Sequence, residues 1–134
     1  MIKKSLIVGL AIVLVVSILI YANTSKQAAN YQDIGNLLTA KGYMVQKGLP
    51  WEKGQSDTYT KSTVFKINAQ DTVNLLEYGS YYTAKEGLAE LSRRLWITTP
   101  HFFWKSRFVV IYLGFDEKVI RDLETILGKE YNPL

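Results

Sequence analysis

The chain contains no cysteine, and this absence excludes several classes of protein at once. It rules out disulfides, thiolate metal sites, cysteine nucleophiles and a lipid-bearing N-terminal Cys. Histidine is almost as scarce, because His101 is the only one in 134 residues. No second histidine and no acidic cluster accompanies it in a metal-binding spacing. The sequence therefore predicts no metal site and no cofactor.

Motifs for catalysis are missing as well. There is no Gly-x-Ser-x-Gly, no Ser-x-x-Lys and no glycine pattern of a phosphate-binding loop. The carboxylates of Asp116 and Glu117 fall where a helix would begin, and the dipole and unpaired amides of that helix start explain them. His101 could serve as a metal ligand or a general base, but a strand histidine bonded to the backbone is the simpler interpretation. We expect a protein that is not an enzyme.

The net charge of +4 invites a nucleic-acid interpretation that the distribution of charge does not support. Lys3, Lys4 and Lys26 flank the N-terminal apolar segment, and the other 13 basic residues nearly balance the 12 acidic ones. A nucleic-acid-binding domain concentrates basic side chains on one surface to neutralise several phosphates. We therefore expect no nucleic acid among the partners.

Residues 1–25 have the composition of a membrane segment. After Lys3 and Lys4, a run of 21 residues from Ser5 to Ser25 carries no charge. About 20 apolar residues at a helical rise of about 1.5 Å span the roughly 30 Å of a bilayer core. The preceding lysines favour a cytoplasmic N-terminus, so residues 5–25 are predicted to be a single-pass anchor in the cell membrane with the domain outside. Four residues would lie at its membrane interfaces: Lys3, Lys4, Tyr21 and Lys26.

A cleaved signal peptide is the alternative interpretation of the same residues. Ile20-Tyr21-Ala22 offers an acceptable cleavage site, and cleavage there would release a secreted domain. The uncharged run exceeds the usual signal-peptide core of about 7–15 residues, which favours the anchor. Residues 26–30 are small and polar and are predicted to be a juxtamembrane linker. Residues 31–134 are long enough for one extracytoplasmic domain with a single core.

Hydrophobic periodicity and turn residues divide this domain into eight elements in the order α-β-β-β-α-β-β-α. Their predicted positions are a helix between Asn30 and Gly42, strands at 43–46, 60–68 and 72–78, a helix opened by a Thr83/Glu86 capping box, an edge segment at 97–104, a strand at 107–113, and a helix between Asp116 and Gly128. The apolar stripe of the second helix would include Leu95, and Tyr78, Tyr81 and Tyr82 would pack at the end of the preceding strand.

This order predicts an α+β fold, in which an antiparallel sheet of four to five strands has helices packed on one face. Residues 107–113 are apolar on both faces and are predicted to lie in the middle of the sheet. Pro100 restricts residues 97–104 to an edge. The unit from Thr72 to Leu113 has the order of a split βαβ arrangement.

The segment from Arg93 to Arg107, RRLWITTPHFFWKSR, has the most unusual composition in the chain. Aromatic side chains flanked by cations can lie on lipid headgroups or bind a peptide or a glycan. The alternative is that strand alternation buries these aromatic side chains in the core. The candidate interaction surface comprises Arg93, Arg94, Trp96, His101, Phe102, Trp104, Lys105 and Arg107.

Four segments of the domain form a characteristic set: VFKIN, LLEYGSYYTAKEGL, PHFFWKSRFVVIYLG and DEKVIRDLETILGK. Together they resemble a group of small exported or lipoprotein-like domains of Bacillus-type Gram-positive bacteria, over roughly residues 31–131. Those domains carry a comparable Pro-His-Phe, a basic turn, an apolar strand that ends in Gly, and a helix with an acidic cap. The resemblance implies an extracytoplasmic location and this fold, and it implies no chemistry. Lipoprotein relatives need a Cys that this chain lacks, so an anchor here would be the apolar segment itself.

We therefore expect a membrane-anchored extracytoplasmic domain that acts as a non-catalytic interaction module at the cell envelope. Its partners would be membrane lipid through residues 5–25 and an unknown envelope protein or ligand. An immunity or inhibitor-like protein is one alternative, but it would need a strong charge complement to its target. A secreted domain that binds a small ligand is the other, and it would require cleavage after Ala22 and a concave site containing His101.

Overall fold

A computed structural model describes residues 33–133 of the chain. From Ile34 onward they form an α+β domain with one five-stranded antiparallel sheet and three helices. In chain order the elements are α1 (Ile34–Ala40), β1 (Val45–Lys47), β2 (Lys61–Ile67), β3 (Asp71–Glu77), α2 (Tyr81–Arg93), β4 (Pro100–Lys105), β5 (Phe108–Leu113) and α3 (Glu117–Leu127). This is the order that the sequence predicts.

The predicted anchor or signal peptide at residues 1–25 and the predicted linker at residues 26–30 lie outside the described residues. Within residues 33–133, no helix is long and apolar enough to cross a membrane. The membrane segment therefore stays a prediction.

The strand order β1-β2-β3-β5-β4 places β5 between β3 and β4. Both neighbours pair with β5 in antiparallel register, so β3 and β4 run parallel to each other. Because α2 connects β3 to β4, the predicted split βαβ unit is confirmed. The sequence also predicts correctly that β5 is an interior strand with a neighbour on each side and that β4 is an edge strand. Pro100 begins β4, where its missing amide removes no bond from the interior of the sheet.

The register divides the strand residues between two faces of the sheet. Leu76 lies opposite Val109, which in turn lies opposite Trp104. Val73 lies opposite Phe65 and Tyr112. We call these two surfaces the Leu76 face and the Val73 face. Because side chains alternate along each strand, residues two apart share a face.

Helix α2 covers the Leu76 face. Its Leu88 and Leu91 belong to one core cluster with Leu76 and Ile111. The contact is close, since a Cβ on Gly87 would lie within 2.5 Å of the Tyr78 ring. This tight approach explains a glycine in the middle of a helix, where alanine would otherwise be favoured.

Helices α1 and α3 cover the Val73 face, so the prediction of helices on one face is wrong. Gly35 of α1 lies against the Phe65 ring. The amide of Asp116, which caps α3, donates to the Tyr112 hydroxyl at 3.1 Å. The physical reason is that β3 and β5 are apolar on both faces, and one layer of helices would leave the other apolar surface in water.

Helix α2 begins three residues earlier than predicted. The Ser80 hydroxyl accepts from the Thr83 amide at 3.1 Å, and the Thr83 hydroxyl accepts from the Ser80 amide at 2.9 Å. Thr83 therefore closes a capping box that Ser80 opens. Tyr81 and Tyr82 consequently lie in the first helical turn and not at a strand end. Leu95, predicted on the apolar stripe, lies beyond the helix and is fully exposed.

Candidate functional site

The eight residues of the candidate interaction surface do not form one surface. Arg93, Arg94 and Trp96 lie where α2 ends, whereas Lys105 and Arg107 lie near the end of the sheet where α2 begins. His101 and Phe102 are adjacent in β4, and alternation sends them to opposite faces. The structure therefore separates the set into groups with different surroundings.

Arg94 holds a loop against the end of α2. Its guanidinium lies 2.6 Å from the Asp57 carboxylate and 2.9 Å from that of Glu90. Burial alone would raise the pKa of Asp57, but hydrogen bonds from Arg94 and from the Gly54 amide outweigh burial and hold this pKa below its usual value. Arg94 therefore pairs with two carboxylates of its own chain and has a structural role.

Trp96 is partly buried and packs against the core. Its ring lies 5.9 Å from the Trp51 ring and 5.8 Å from the Phe102 ring, between centroids. The indole N–H donates to the Leu91 carbonyl at 3.0 Å. Phe102 itself is only 6% exposed. For these two aromatic residues the structure agrees with the interpretation that the segment contributes to the core.

His101 lies on the Val73 face beside the C-terminal segment. Its Nδ1 atom is 2.6 Å from Oε1 of Glu130, and its ring centroid is 5.8 Å from that of Tyr112. A cleft of about 580 Å³ opens next to this pair. The residues that line it are Pro100, Phe102, Glu124, Lys129, Glu130, Tyr131, Asn132 and Pro133. The cleft could admit a small polar ligand, although Glu130 already has a partner in His101.

A second group of aromatic residues is exposed where α2 begins. The Tyr81 ring lies 4.8 Å from the Trp104 ring, tilted by 37°, and 5.5 Å from the Tyr82 ring, which it meets edge to face. The three rings thus form one contiguous group, which we call the aromatic stack. Tyr81 is 50% exposed and Tyr82 is 75% exposed, while Trp104 is half-buried. The Trp104 indole N–H donates to the Ser106 carbonyl at 2.9 Å, which fixes the orientation of the ring. These rings present flat apolar surface that is partly open to water.

Basic residues lie at the same end of the sheet as this stack. The terminal row of the sheet there, from β2 across to β4, reads Lys61, Glu77, Phe108 and Lys105. Arg107 bonds to Glu77 at 3.2 Å and lies 5.1 Å from the Phe108 ring centroid. We call this region the aromatic end: it comprises Lys61, Glu77, Tyr81, Tyr82, Trp104, Lys105 and Arg107, with the buried Phe108 beneath them.

Sequence reasoning found only part of the aromatic end. Trp104, Lys105 and Arg107 were in the candidate surface, but Tyr81 and Tyr82 were assigned to a packed strand end. The spacing Ser80-x-x-Thr83 could have revealed them. A capping box opened by Ser80 places both tyrosines in the first turn of a helix, where side chains are open to solvent on at least one side.

The remaining polar clusters join elements of the fold. The Tyr43 hydroxyl donates to Asp122 at 2.6 Å, and the Lys118 ammonium donates to both Tyr43 and Asp122. Burial first, and the bond to Asp122 second, raise the pKa of Tyr43. Among residues 33–133, no three His, Asp or Glu side chains lie close enough together to hold a metal ion.

No family model matches the chain, and no curated protein or solved structure is detectably similar to it. The resemblance to exported domains of Bacillus-type bacteria therefore stays a prediction.

Proposed function

We propose that the chain is a single-pass membrane protein whose folded domain lies outside the cell and acts by binding. The membrane part of the proposal depends on residues 3–25, in which two lysines precede a long apolar run. The binding half depends on one observation, the exposed stack of Tyr81, Tyr82 and Trp104 with cations around it. Tyr, Trp and Arg side chains are enriched at protein interaction surfaces.

The surroundings of the polar residues also favour binding over catalysis. His101 has its ring nitrogen on Glu130, and Asp57 is held by Arg94. The Tyr112 hydroxyl donates to Asp71 at 2.6 Å. Each of these contacts joins separate parts of the chain, so the imidazole, carboxylate and hydroxyl groups already stabilise the fold. A general base needs instead an open position within hydrogen-bond reach of a substrate proton.

Cell fractionation tests the membrane half of the proposal. Cells expressing the full chain are separated into soluble and membrane fractions, the membranes are washed with alkaline carbonate, and the mass and N-terminus of the retained chain are measured. We expect an intact chain that resists the wash and whose domain is cut by protease added outside the cells. A soluble chain that begins at Asn23 would overturn the anchor.

The cleft next to His101 favours a second candidate, a secreted domain that binds a small ligand. This function requires cleavage after Ala22 and predicts that the cleft of about 580 Å³ is the binding site. The same fractionation separates the two candidates, because only this one predicts a mature chain free of the membrane. A substitution such as Glu124→Gln in the cleft would then be the first to examine for lost ligand binding.

A further inference from the structure

We infer that the aromatic end docks on the anionic headgroups of the membrane that holds residues 5–25. This inference rests on the proposed function, and it names the partner of the exposed aromatic stack. The occupant is a lipid surface and not a peptide or a glycan. Three properties of the described residues lead to it: the chemistry of the rings, the distribution of charge, and the direction of the chain where it enters the domain.

The rings have the amphipathic character that suits the headgroup region. Tyr and Trp collect at membrane interfaces because they present an apolar body together with a polar hydroxyl or N–H. Tyr81 contacts Tyr82 edge to face and Trp104 at a tilt, with centroid separations of 5.5 and 4.8 Å. The stack is anchored in the capped first turn of α2 and in β4, so docking requires little ordering of the rings.

The charge at the aromatic end complements an anionic surface. Lys61, Lys85 and Lys105 are exposed there, Lys85 being in the second turn of α2. Glu77, in the terminal strand row, is paired with Arg107. Each lysine near an anionic membrane surface strengthens attachment by roughly fivefold. Glu86 of α2 is also exposed there, so this end carries four cations and two carboxylates, whereas the domain as a whole is close to neutral.

The path of α1 shows from which end of the sheet the chain enters the described domain. The first turn of α1 lies against β2, where Gly35 contacts Phe65, two positions before the strand ends at Ile67. The helix then leads through Lys41 to Met44, whose carbonyl accepts from Asn68 at the other end of the sheet. The chain thus moves away from the aromatic end as it passes along α1.

The absence of cysteine permits a direct test, since one introduced Cys is a unique labelling site. Gly79→Cys places a fluorophore at the aromatic end without replacing a ring or a cation, and a Cβ there meets no atom within 4 Å. Gln70→Cys, in the exposed β2–β3 turn, is the matched control at the opposite end. The full chain is reconstituted in vesicles of phosphatidylcholine with or without phosphatidylglycerol, with a nitroxide quencher on a fraction of the headgroups.

We expect quenching at position 79 in vesicles that contain phosphatidylglycerol, and little at position 70. Lys61→Gln with Lys85→Gln should shift the docking equilibrium toward the undocked state by about 25-fold. The control pair Lys47→Gln with Lys66→Gln removes the same charge from exposed positions elsewhere in the sheet and should leave quenching unchanged. Thermal unfolding of both pairs checks that the fold is retained.

Two results would overturn docking on anionic headgroups while leaving the anchor intact. One is equal quenching at positions 79 and 70, and the other is quenching at position 79 that does not depend on phosphatidylglycerol. The first would leave the aromatic end free for a protein or glycan partner, and the second would mean that docking does not require anionic headgroups. Flotation after a carbonate wash distinguishes this failure from that of the proposed function, because a chain without an anchor would not remain with the vesicles at all.

Discussion

His101 in β4 and Glu130 in the C-terminal segment lie 2.6 Å apart, between Nδ1 and Oε1. The contact sits beside a second link, in which the Tyr131 amide donates to the Phe102 carbonyl at 2.7 Å. An edge strand otherwise presents unpaired backbone groups to water. The two contacts together hold the C-terminal segment along part of that edge of β4.

Loss of the His101–Glu130 contact should loosen the C-terminal segment. Glu130→Ala is expected to lower the free energy of unfolding by about 1 kcal/mol, because a partly buried hydrogen bond is lost. Hydrogen exchange at the Tyr131 amide should become faster, since its bond to Phe102 would open more often. Glu124→Ala, in the same cleft, is the control. Unchanged exchange at Tyr131 in the Glu130 variant would mean that the pair does not hold the segment.

Gly87→Ala should destabilise the domain despite the better helix propensity of alanine. The added Cβ would approach the Tyr78 ring to 2.4 Å, and Tyr78 is fully buried and cannot move aside. Overpacking of this kind costs about 1–3 kcal/mol, measurable by urea unfolding. Gly79→Ala, where a Cβ meets nothing within 4 Å, is expected to change stability little. Equal stability of the two variants would show that α2 can shift away from the sheet.

Local patterns were sufficient to predict the order of the elements, and distant contacts were not. The apolar run of β5, Pro100 at an edge and Asp116 as a helix cap are each readable within a few residues. The layering was mispredicted even though β5 was recognised as apolar on both faces, a pattern that requires cover on both sides. His101 and Glu130 are 29 residues apart, and no sequence pattern indicates their meeting.

The same distinction explains what was missed at the candidate site. The composition of residues 93–107 predicted an aromatic and basic surface, but a strand sends neighbouring residues to opposite faces. Only Trp104, Lys105 and Arg107 of that set remain near each other at the aromatic end. Their tyrosine neighbours come from α2, through a contact between Tyr81 and Trp104 that is set by tertiary packing.

A buried amide on the Leu76 face should tolerate no charge. Asn74 is 1% exposed; its Oδ1 accepts from the Ser62 hydroxyl at 3.0 Å, and its Nδ2 has no hydrogen-bond partner among the described residues. Asn74→Asp would bury a carboxylate and should cost about 3 kcal/mol or more at pH 7. Asn68→Asp, at an exposed turn position, is the control.

The cost of Asn74→Asp should also depend on pH. Burial raises the pKa of the new carboxyl in the folded state, so the neutral form is the one compatible with folding. The deficit should therefore be smallest in acid, grow as pH rises from the ordinary pKa of an aspartate towards the raised one, and level off above it. A deficit that stays constant between pH 4 and pH 7 would mean that water reaches the site.

Alkaline pH should destabilise the domain through its buried tyrosines. Burial, reinforced by the charge of Asp57, raises the pKa of Tyr78 from 10.0 to about 12. The unfolded chain therefore releases this proton at lower pH than the folded one. The corresponding stability is complete below pH 10 and is lost as pH rises towards 12, with a slope of up to about 1.4 kcal/mol per pH unit for one proton.

Tyr78→Phe isolates this contribution, because it removes the ionisable hydroxyl and keeps the ring in the core cluster. We expect urea unfolding between pH 10 and 12 to show a shallower loss of stability in the variant than in the parent chain. Tyr82→Phe is the matched control, since Tyr82 is largely exposed and its removal should leave the slope unchanged. Parallel slopes for the Tyr78 variant and the parent chain would mean that another group causes the alkaline loss of stability. Tyr112 would then be the next residue to replace, because burial and its bond to Asp71 also raise its pKa.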